Sequence, residues 1–244
     1  MPRFFVSKDS ISDNLAVISG DDAHHISKVL RMKCGEALVL CDQQGNDYHC
    51  EISDITDNAV SLTVKECVHC LSEPTVRVTL FMALPKGDKM DYVIQKSIEL
   101  GASEIVPFSS SRCIVKLSDK DAAKKQERWS RIALEAAKQC GRGIVPKVRK
   151  PISFKEMIAC ASECEMPLFF YEKETNNSLK SRISARTFKS AAVIIGPEGG
   201  FSESEVSDVT RAGIPCASLG TRILRCETAP GCAISAIMYE TDNI

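Results

Sequence analysis

Continuous apolar runs alternate with amphipathic helical patterns in the part of the chain that follows Pro74. We predict strands at 76–84, 104–107, 167–171, 191–196 and 216–219, and helices from about 88, at about 119–140, between the last two strands, and at about 228–239. Strands without polar alternation are buried on both faces, as in parallel sheets covered by crossover helices. The pattern therefore predicts an α/β domain built on a parallel sheet.

Residues 1 to about 72 follow a different pattern. Runs rich in β-forming residues lie at 37–41, 48–52 and 59–64. Turn-forming residues separate these runs, which predicts a small β-barrel. One helix, from Asp21 to about Met32, is predicted to interrupt the barrel because apolar residues recur there at helical spacing. Residues 71–74 form the predicted linker, so we expect two domains, at 1–72 and 73–244.

The 244 residues are enough to bury a sizeable core. No apolar run approaches the roughly 20 residues that a membrane span needs. The first residues, Met-Pro-Arg-Phe-Phe-Val, lack the apolar stretch and cleavage site of a signal peptide. We therefore expect a cytoplasmic protein with no membrane partner.

Twelve cysteines are scattered through the chain. Without a secretory signal, we expect most of them to be reduced thiols that act as small buried hydrophobic residues. Zinc is an alternative, because two clusters carry possible ligands: Cys67, His69 and Cys70 in one, Cys160 and Cys164 in the other. A structural zinc site usually pairs two close-spaced knuckles within a short module. These clusters lie far apart in sequence, so we expect no metal.

Positive charge is concentrated in one segment although the whole chain carries a net charge of −1. Between Lys86 and Lys150 there are 15 lysines and arginines against 8 acidic residues, which leaves the rest of the chain with an excess of negative charge. A nucleic acid responds to such a local distribution rather than to the total. The segment is either an RNA-facing patch or an ordinary solvated helix face.

A glycine-rich turn follows the predicted strand at 191–196, in the sequence Gly-Pro-Glu-Gly-Gly-Phe-Ser. Ser202 and Glu205 form a capping box for the helix that comes next. Glycines allow the backbone to approach a ligand closely, and a helix N-terminus favours a negative group. The turn matches neither the Walker loop nor the dinucleotide fingerprint. It is either a small-molecule site or a tight turn without a ligand.

A second polar segment, residues 219–230, follows the last predicted strand. It places Arg222, Arg225 and Glu227 in a loop before an apolar helix. Ligands bind at the carboxyl ends of strands in open α/β sheets. The alternative is a solvated loop in which Arg225 and Glu227 pair with neighbours, and such exposed pairs contribute little stability.

Together, these two segments resemble the signature of the SPOUT class of methyltransferases, and more narrowly that of the ribosomal RNA small-subunit methyltransferase E family. Further stretches that agree are spread over almost the whole chain: 2–5, 25–31, 86–90, 95–101, 112–113 and 135–142. Three positions depart from the family pattern, where Thr221 replaces proline, Cys226 replaces threonine, and Gly231 replaces a larger aliphatic residue.

The resemblance implies an α/β SPOUT domain with a C-terminal trefoil knot, preceded by a PUA-like RNA-binding β-barrel. It implies a homodimer that transfers a methyl group from S-adenosyl-L-methionine to N3 of a specific uridine in small-subunit (16S) ribosomal RNA. The partner is then either free ribosomal RNA or the assembled small ribosomal subunit.

The expected site residues fall into three groups. For catalysis we expect Arg225 to stabilise the uridine anion and Glu227 to act as the base or to orient it, with Glu198 as the competing carboxylate. The expected cofactor-binding residues are Ile195, Gly196, Pro197, Glu198, Gly199, Gly200, Leu219, Gly220, Ile223, Leu224 and Arg225. The expected RNA phosphate contacts are Arg3, Arg31, Lys33, Lys86, Lys89, Arg112 and Arg142. We interpret His24 and His25 as structural residues.

Two other classes of function stay open. The chain could be an RNA-binding protein that retains a cofactor pocket without catalysis, in which case the cofactor would bind but no methyl group would be transferred. It could also be a small-molecule enzyme, in which case RNA affinity would be weak and insensitive to salt.

Overall fold

The computed structural model describes all residues from 1 to 244. The chain divides into two compact units. The first unit contains residues 1–73 and 137–145, and the second contains residues 74–136 and 146–244. One boundary therefore lies within residues 71–74. Residues 137–145 belong to the first unit although they lie between two parts of the second unit in sequence.

The first unit is built on a six-stranded sheet. Its strands are β1 (Arg3–Phe5), β2 (Ile11–Ser12), β3 (Leu15–Ser19), β4 (Ala37–Cys41), β5 (Asn46–Ile55) and β6 (Ala59–His69), in the order β1-β4-β5-β6-β3-β2. β1 pairs with β4 in parallel, and all other pairs are antiparallel. A 3₁₀ turn covers Lys8–Ser10, and helix α1 (Asp21–His24) continues into a π-helical turn at His25–Val29.

The core of the first unit lies on one face of this sheet. Along β3 the side chains of Ala16 and Ile18 are buried, whereas Leu15 and Val17 are exposed. Such alternation follows from the two-residue period of a strand with one face in a core. Ile26, in the π-helical turn, packs into the same core. The helical segment ends at Val29, a few residues before the predicted end, and Arg31 there adopts a positive φ of 54°.

The second unit is built on a parallel sheet. Its strands are β7 (Arg77–Ala83), β8 (Ala102–Ser109), β9 (Lys147–Val148), β10 (Ile152–Ser153), β11 (Met166–Phe170), β12 (Ser190–Ile195) and β13 (Cys216–Ala217). The remaining helices are α2 (Lys89–Glu99), α3 (Asp119–Cys140), α4 (Phe154–Ser162), α5 (Leu179–Ile183), α6 (Glu203–Arg211) and α7 (Ala229–Glu240). The strands follow the order β10-β8-β7-β12-β11-β13, with β9 pairing to β8, and every pair is parallel. The predicted parallel α/β sheet is confirmed.

The position of β12 in the sheet decides which loops meet. β12 pairs with β7 on one side and with β11 on the other, and β13 pairs with β11. Because parallel strands share one carboxyl edge, the turn after β12 and the loop after β13 emerge at that same edge. The two segments singled out by sequence therefore start two strands apart in one sheet.

Phe201 fixes the turn after β12 to the core of the second unit. Its ring lies 4.2 Å from that of Phe169 between centroids, with Phe108 and Phe154 also in contact range, and only 2% of the residue is exposed. Burying an aromatic side chain in this way stabilises a fold by roughly 1.5–3 kcal/mol. The glycine-rich turn is thus held at both ends, by β12 before it and by Phe201 after it.

The twelve cysteines are all free thiols. Cys67 and Cys70 belong to the first unit, and Cys160 and Cys164 to the second. No group of three or more histidine, cysteine, aspartate or glutamate side chains lies close enough to hold a metal ion. No helix combines the length and the apolar character needed to cross a membrane.

Candidate active site

A cavity of about 450 Å³ opens at the carboxyl edge of β11, β12 and β13. This volume lies within the range of about 300–1,000 Å³ that is typical of small-molecule sites. The lining residues come from β11 and the residues after it (170–172), the turn after β12 (195–201), the loop after β13 (217–227 and 229) and the start of α2 (Lys89). The cavity thus lies where ligands bind in open α/β sheets.

All eleven residues that we expect to bind the cofactor line this one cavity. They reach it from two segments that are separated by α6 and β13 in the chain. The structure therefore brings the two sequence segments together, and their binding of a cofactor stays a prediction.

Close packing explains two of the glycines in the turn. A Cβ atom on Gly196 would lie 2.9 Å from Cε2 of Phe201, closer than real Cβ contacts allow. Gly200 has a positive φ of 65°, and a Cβ atom there would lie 2.7 Å from Oε1 of Glu172. Glycine is favoured at such positions because it alone combines left-handed backbone with no side chain. The turn is shaped by these contacts before any ligand is considered.

The predicted capping box of α6 is present. The Ser202 hydroxyl accepts a hydrogen bond from the Glu205 backbone N–H, and the Glu205 carboxylate accepts one from the Ser202 backbone N–H. That carboxylate also accepts hydrogen bonds from the Ser111 backbone N–H at 2.7 Å and from its hydroxyl at 2.9 Å. Burial alone would raise the pKa of Glu205, but these hydrogen bonds outweigh it and the pKa is lowered. Glu205 thus joins α6 to the loop after β8.

The cavity contains a cluster of charged groups. Nζ of Lys89 lies 3.0 Å from Oε1 of Glu198 and 3.2 Å from Oε2 of Glu227. The Lys86 backbone N–H donates a hydrogen bond to Oε1 of Glu198 at 3.1 Å. The Cys226 thiol donates to Oε2 of Glu227 at 3.3 Å. Two carboxylates, one ammonium and one thiol therefore share one small volume.

These contacts change the acidity of each member of the cluster. A hydrogen bond from its own backbone N–H lowers the pKa of Glu227 most, and Cys226 and Lys89 add to that effect. Burial opposes ionisation of Glu198, but hydrogen bonds from its own backbone, Lys89 and the Lys86 backbone still lower its pKa. Hydrogen bonds to Glu198 and Glu227 raise the pKa of Lys89, whereas burial and the Glu227 contact raise the pKa of Cys226 to about 12. At neutral pH both carboxylates are ionised, the amine is charged and the thiol is protonated.

The two arginines of the loop after β13 line the cavity with exposed side chains. The backbone carbonyl of Arg225 accepts hydrogen bonds from the N–H groups of Thr228 and Ala229, which start α7. The loop backbone is therefore fixed while the guanidinium of Arg225 faces solvent, where it can meet an incoming substrate.

The expected RNA contacts fall into different environments. Arg31, Lys33 and Lys86 are exposed. Arg112 is also exposed, and its guanidinium donates to the carbonyl of Gly199 at 2.8 Å, which supports the glycine-rich turn. Lys89 lies in the charged cluster of the cavity.

Arg3 and Arg142 hold the first unit together instead of facing solvent. Arg3 makes a bidentate pair with Asp47 at 2.6 and 2.9 Å. Arg142 is only 3% exposed, and its guanidinium binds both carboxylate oxygens of Glu73 at 2.9 and 2.8 Å. A guanidinium held in a bidentate pair, partly buried for Arg3 and buried for Arg142, has fewer donors left for a phosphate. These positions argue against the predicted phosphate contacts of Arg3 and Arg142.

Sequence reasoning placed Lys89 outside the pocket and omitted Glu172 from it. Each of them follows a strand of the parallel sheet, Lys89 after β7 and Glu172 after β11. Polar residues that follow neighbouring parallel strands converge at one edge. That rule, applied to every strand rather than to the two glycine-containing loops, would have pointed to both residues.

Comparison with known proteins identifies the family to which the chain belongs. Residues 72–238 match the model of an RNA methyltransferase domain, and residues 18–65 match that of an RNA methyltransferase PUA domain. The chain is 39% identical to ribosomal RNA small subunit methyltransferase E of Bacillus subtilis, over 99% of this chain and 98% of that protein. It is 33% identical to the Mesomycoplasma hyopneumoniae protein of the same name, over 94% and 95% of the two chains.

Solved structures of similar proteins align with this chain over nearly its full length. The crystal structure of a ribosomal RNA small subunit methyltransferase E from Neisseria gonorrhoeae, bound to S-adenosyl methionine, has a TM-score of 0.84 at 30% identity and covers 98% of this chain and 97% of its own. The crystal structure of a hypothetical protein has a TM-score of 0.91 at 36% identity, with 98% of both chains covered. The RNA methyltransferase model matches more than half of this chain, and relatives that align with almost all of it are 30% identical or more. The chain therefore belongs to the ribosomal RNA small-subunit methyltransferase E family.

Proposed function

We propose that this methyltransferase transfers a methyl group from S-adenosyl-L-methionine to N3 of a specific uridine in small-subunit (16S) ribosomal RNA. The observation that carries the proposal is the cavity at the carboxyl edge of β11, β12 and β13, in which the glycine-rich turn meets the Glu198, Lys89 and Glu227 cluster. The family names the reaction class, and the neisserial relative was crystallised with this cofactor.

The residues of the cavity fit S-adenosyl-L-methionine. The volume of about 450 Å³ suits a ligand of nucleoside size. Segments 195–200 and 219–224 would hold the adenosine and methionine parts, largely through backbone groups, since four of these residues are glycines. Ionised Glu198 and Glu227 favour a ligand with a positive charge. Bound there, the cofactor would supply a methyl group attached to a positively charged sulfur. When the methyl group is transferred, the sulfur becomes a neutral thioether.

The chain itself has to align the uridine and to manage one proton. N3 of uridine carries a proton at neutral pH, and the N–H bond must break before N3 can bond to carbon. Glu227 is the proposed acceptor of that proton, since it is ionised and lies in the cavity. A carboxylate with a lowered pKa is a weak base, so the uridine anion also needs stabilisation. The exposed guanidinium of Arg225 is proposed to supply it.

The remaining features of the proposal concern the assembly. We expect phosphate contacts from the exposed side chains of Arg31, Lys33, Lys86 and Arg112. A trefoil knot in the second unit is proposed on the family resemblance alone. The six-stranded sheet and the match of residues 18–65 to an RNA methyltransferase PUA domain support a PUA-like barrel in the first unit. A homodimer is proposed on the family resemblance, and Tyr239 of α7 offers one exposed aromatic side chain to such an interface. The site of action would be the cytoplasm, where ribosomal subunits are made.

The test is methyl transfer from labelled S-adenosyl-L-methionine to small ribosomal subunits and to naked ribosomal RNA, both from cells that lack this protein. Mass mapping of the product is expected to locate a single N3-methyluridine. Transfer to subunits alone would identify the assembled particle as the substrate. Methylation at another atom would overturn the assigned position, and no transfer to either substrate despite cofactor binding would favour a non-catalytic RNA-binding role.

A further inference from the structure

Lys89 lies against two carboxylates and a thiol. Its Nζ lies 3.0 Å from Glu198, 3.2 Å from Glu227 and 3.9 Å from the Cys226 sulfur. These partners come from the turn after β12 and the loop after β13, whereas Lys89 opens α2 after β7. One ammonium group therefore joins three segments that are distant in sequence.

The charge balance of this cluster argues against a phosphate contact. With both carboxylates ionised and the amine charged, Lys89, Glu198 and Glu227 together carry one negative charge. A phosphate that approached Lys89 would meet two carboxylates within about 3 Å of the ammonium. Like charges at such separations repel strongly in a partly buried site.

The same geometry suits a role inside the site. Two carboxylates in one cavity repel each other, and without a cation between them at least one would take up a proton or turn away. The ammonium fixes one oxygen of each carboxylate. The Lys86 backbone N–H holds the same oxygen of Glu198, and the Cys226 thiol holds the same oxygen of Glu227. Each carboxylate is therefore held in one orientation by two donors.

We propose that Lys89 is a positioning residue of the methyl-transfer site, which holds Glu198 and Glu227 side by side so that Glu227 can accept the uridine proton. This inference rests on the proposed function of the cavity. It reassigns Lys89 from an RNA contact to the catalytic machinery, and it makes Glu198 a partner of Lys89 instead of a second base.

Lys86 provides a matched control. It lies three residues before Lys89, in the loop between β7 and α2, its side chain is exposed, and it contacts Glu198 only through its backbone N–H. Lys86→Met therefore removes one positive charge close to Lys89 in sequence and keeps the backbone donor. Lys89→Met removes the ammonium from between the carboxylates, and Lys89→Arg keeps a positive charge there.

The experiment uses the full-length protein and two independent measurements. In the first, carbon-13 NMR follows the titration of the Glu198 and Glu227 carboxyl groups without RNA or cofactor. We expect Lys89→Met to raise the pKa of both carboxyl groups. In Lys89→Arg both pKa values should stay close to those of the unmodified protein, because a positive charge remains between the carboxylates. In Lys86→Met they should be unchanged. The spectra also show whether each variant is folded. If Lys89→Met is not folded, the titration is compared between Lys89→Arg and the unmodified protein instead.

The second measurement is the pH dependence of methyl transfer. We expect Lys89→Met to lower kcat by about tenfold or more and to shift the acidic limb of the kcat profile to higher pH, because the carboxylates must ionise first. Lys86→Met is expected to raise KM for RNA and to leave that limb in place.

Two results would overturn the positioning role. One is unchanged titration of both carboxyl groups in Lys89→Met. The other is a higher KM for RNA in Lys89→Met with an unshifted kcat profile, which is the behaviour of a phosphate contact. If the unmodified protein transferred no methyl group while the NMR shifts appeared as expected, the proposed function would fail and the link between Lys89 and the carboxylates would stand.

Discussion

The glycine-rich turn depends on individual residues, and Gly200 tests this most directly. Gly200→Ala would place a Cβ atom 2.7 Å from Glu172 in a left-handed backbone conformation, which alone costs roughly 1–2 kcal/mol. We expect the turn to shift and the Kd for S-adenosyl-L-methionine to rise by about tenfold. Isothermal titration calorimetry measures this change.

Gly213 is the control for that substitution. It also has a positive φ, of 78°, but a Cβ atom there would meet nothing within 4 Å, and the residue lies outside the cavity. Gly213→Ala is expected to lower stability while the cofactor Kd stays the same. An equal loss of affinity in both variants would mean that the close approach of Gly200 to Glu172 has no part in binding.

The role of Glu227 is a second prediction at this scale. Glu227→Gln keeps the size of the side chain but removes the proton acceptor, so we expect kcat to fall by about 10² to 10⁴-fold. Steady-state methylation of RNA measures both the fall and any change in KM. Glu203→Gln, at an exposed position in the same unit, is the control. An unchanged rate in Glu227→Gln would remove this residue from the chemistry.

At the scale of elements, Glu205 links the N-terminus of α6 to the loop after β8. Its folded pKa is depressed below the ordinary value of 4.5, so its contribution to stability is present above about pH 4.5 and is lost as the pH falls through the folded pKa. We expect Glu205→Gln to lower the free energy of unfolding at pH 7 by about 1–3 kcal/mol. Urea denaturation at pH 7 and at lower pH tests this.

The difference in the free energy of unfolding between Glu205→Gln and the unmodified protein should become smaller as the pH falls below 4.5. Glu156→Gln gives the comparison, since Glu156 closes the capping box of α4 at an exposed position and should have a smaller effect. A difference between the Glu205 variant and the unmodified protein that stayed constant with pH would show that the ionised carboxylate is not the stabilising form.

Elements with a clear local pattern could be predicted closely, whereas the two longest strands were predicted only in part: β5 covers 46–55 against a predicted 48–52, and β6 covers 59–69 against a predicted 59–64. Helix α3 has the predicted bounds because its 22 residues repeat the helical period, and strand β4 has the predicted bounds because its five residues form one continuous apolar run. Strands β9 and β10 were missed, since each has only two residues and owes its existence to pairing with β8. The helix predicted to run to Met32 ends at Val29.

At the scale of the whole molecule, the predicted RNA contacts divide into exposed and buried residues. Replacing Arg31 or Lys33 by Met is expected to weaken RNA binding. The slope of log K against log salt should also fall by about one for each phosphate that the variant no longer neutralises. Filter binding at several salt concentrations measures that slope.

Arg142→Met serves as the contrasting variant. Because Arg142 is buried against Glu73, its loss should lower the melting temperature, since the Glu73 carboxylate keeps only the backbone N–H donors of Gly143 and Ile144 and loses its cation. The salt slope should stay unchanged in the protein that remains folded. A slope reduced as much as in the Arg31 variant would instead restore Arg142 as a phosphate contact.

The sequence by itself determined the α/β class, the parallel sheet, the long helix α3 and the two loops of the cavity, because these depend on local period and on glycine-rich turns. Resemblance to a family then supplied the reaction. Only the tertiary structure decided which charged side chains share the cavity. Lys89 meets Glu198 and Glu227 because β12 lies between β7 and β11, whereas Arg142 is withdrawn from solvent by Glu73. The burial and pairing of a charge depend on residues brought together across the chain, which no local pattern encodes.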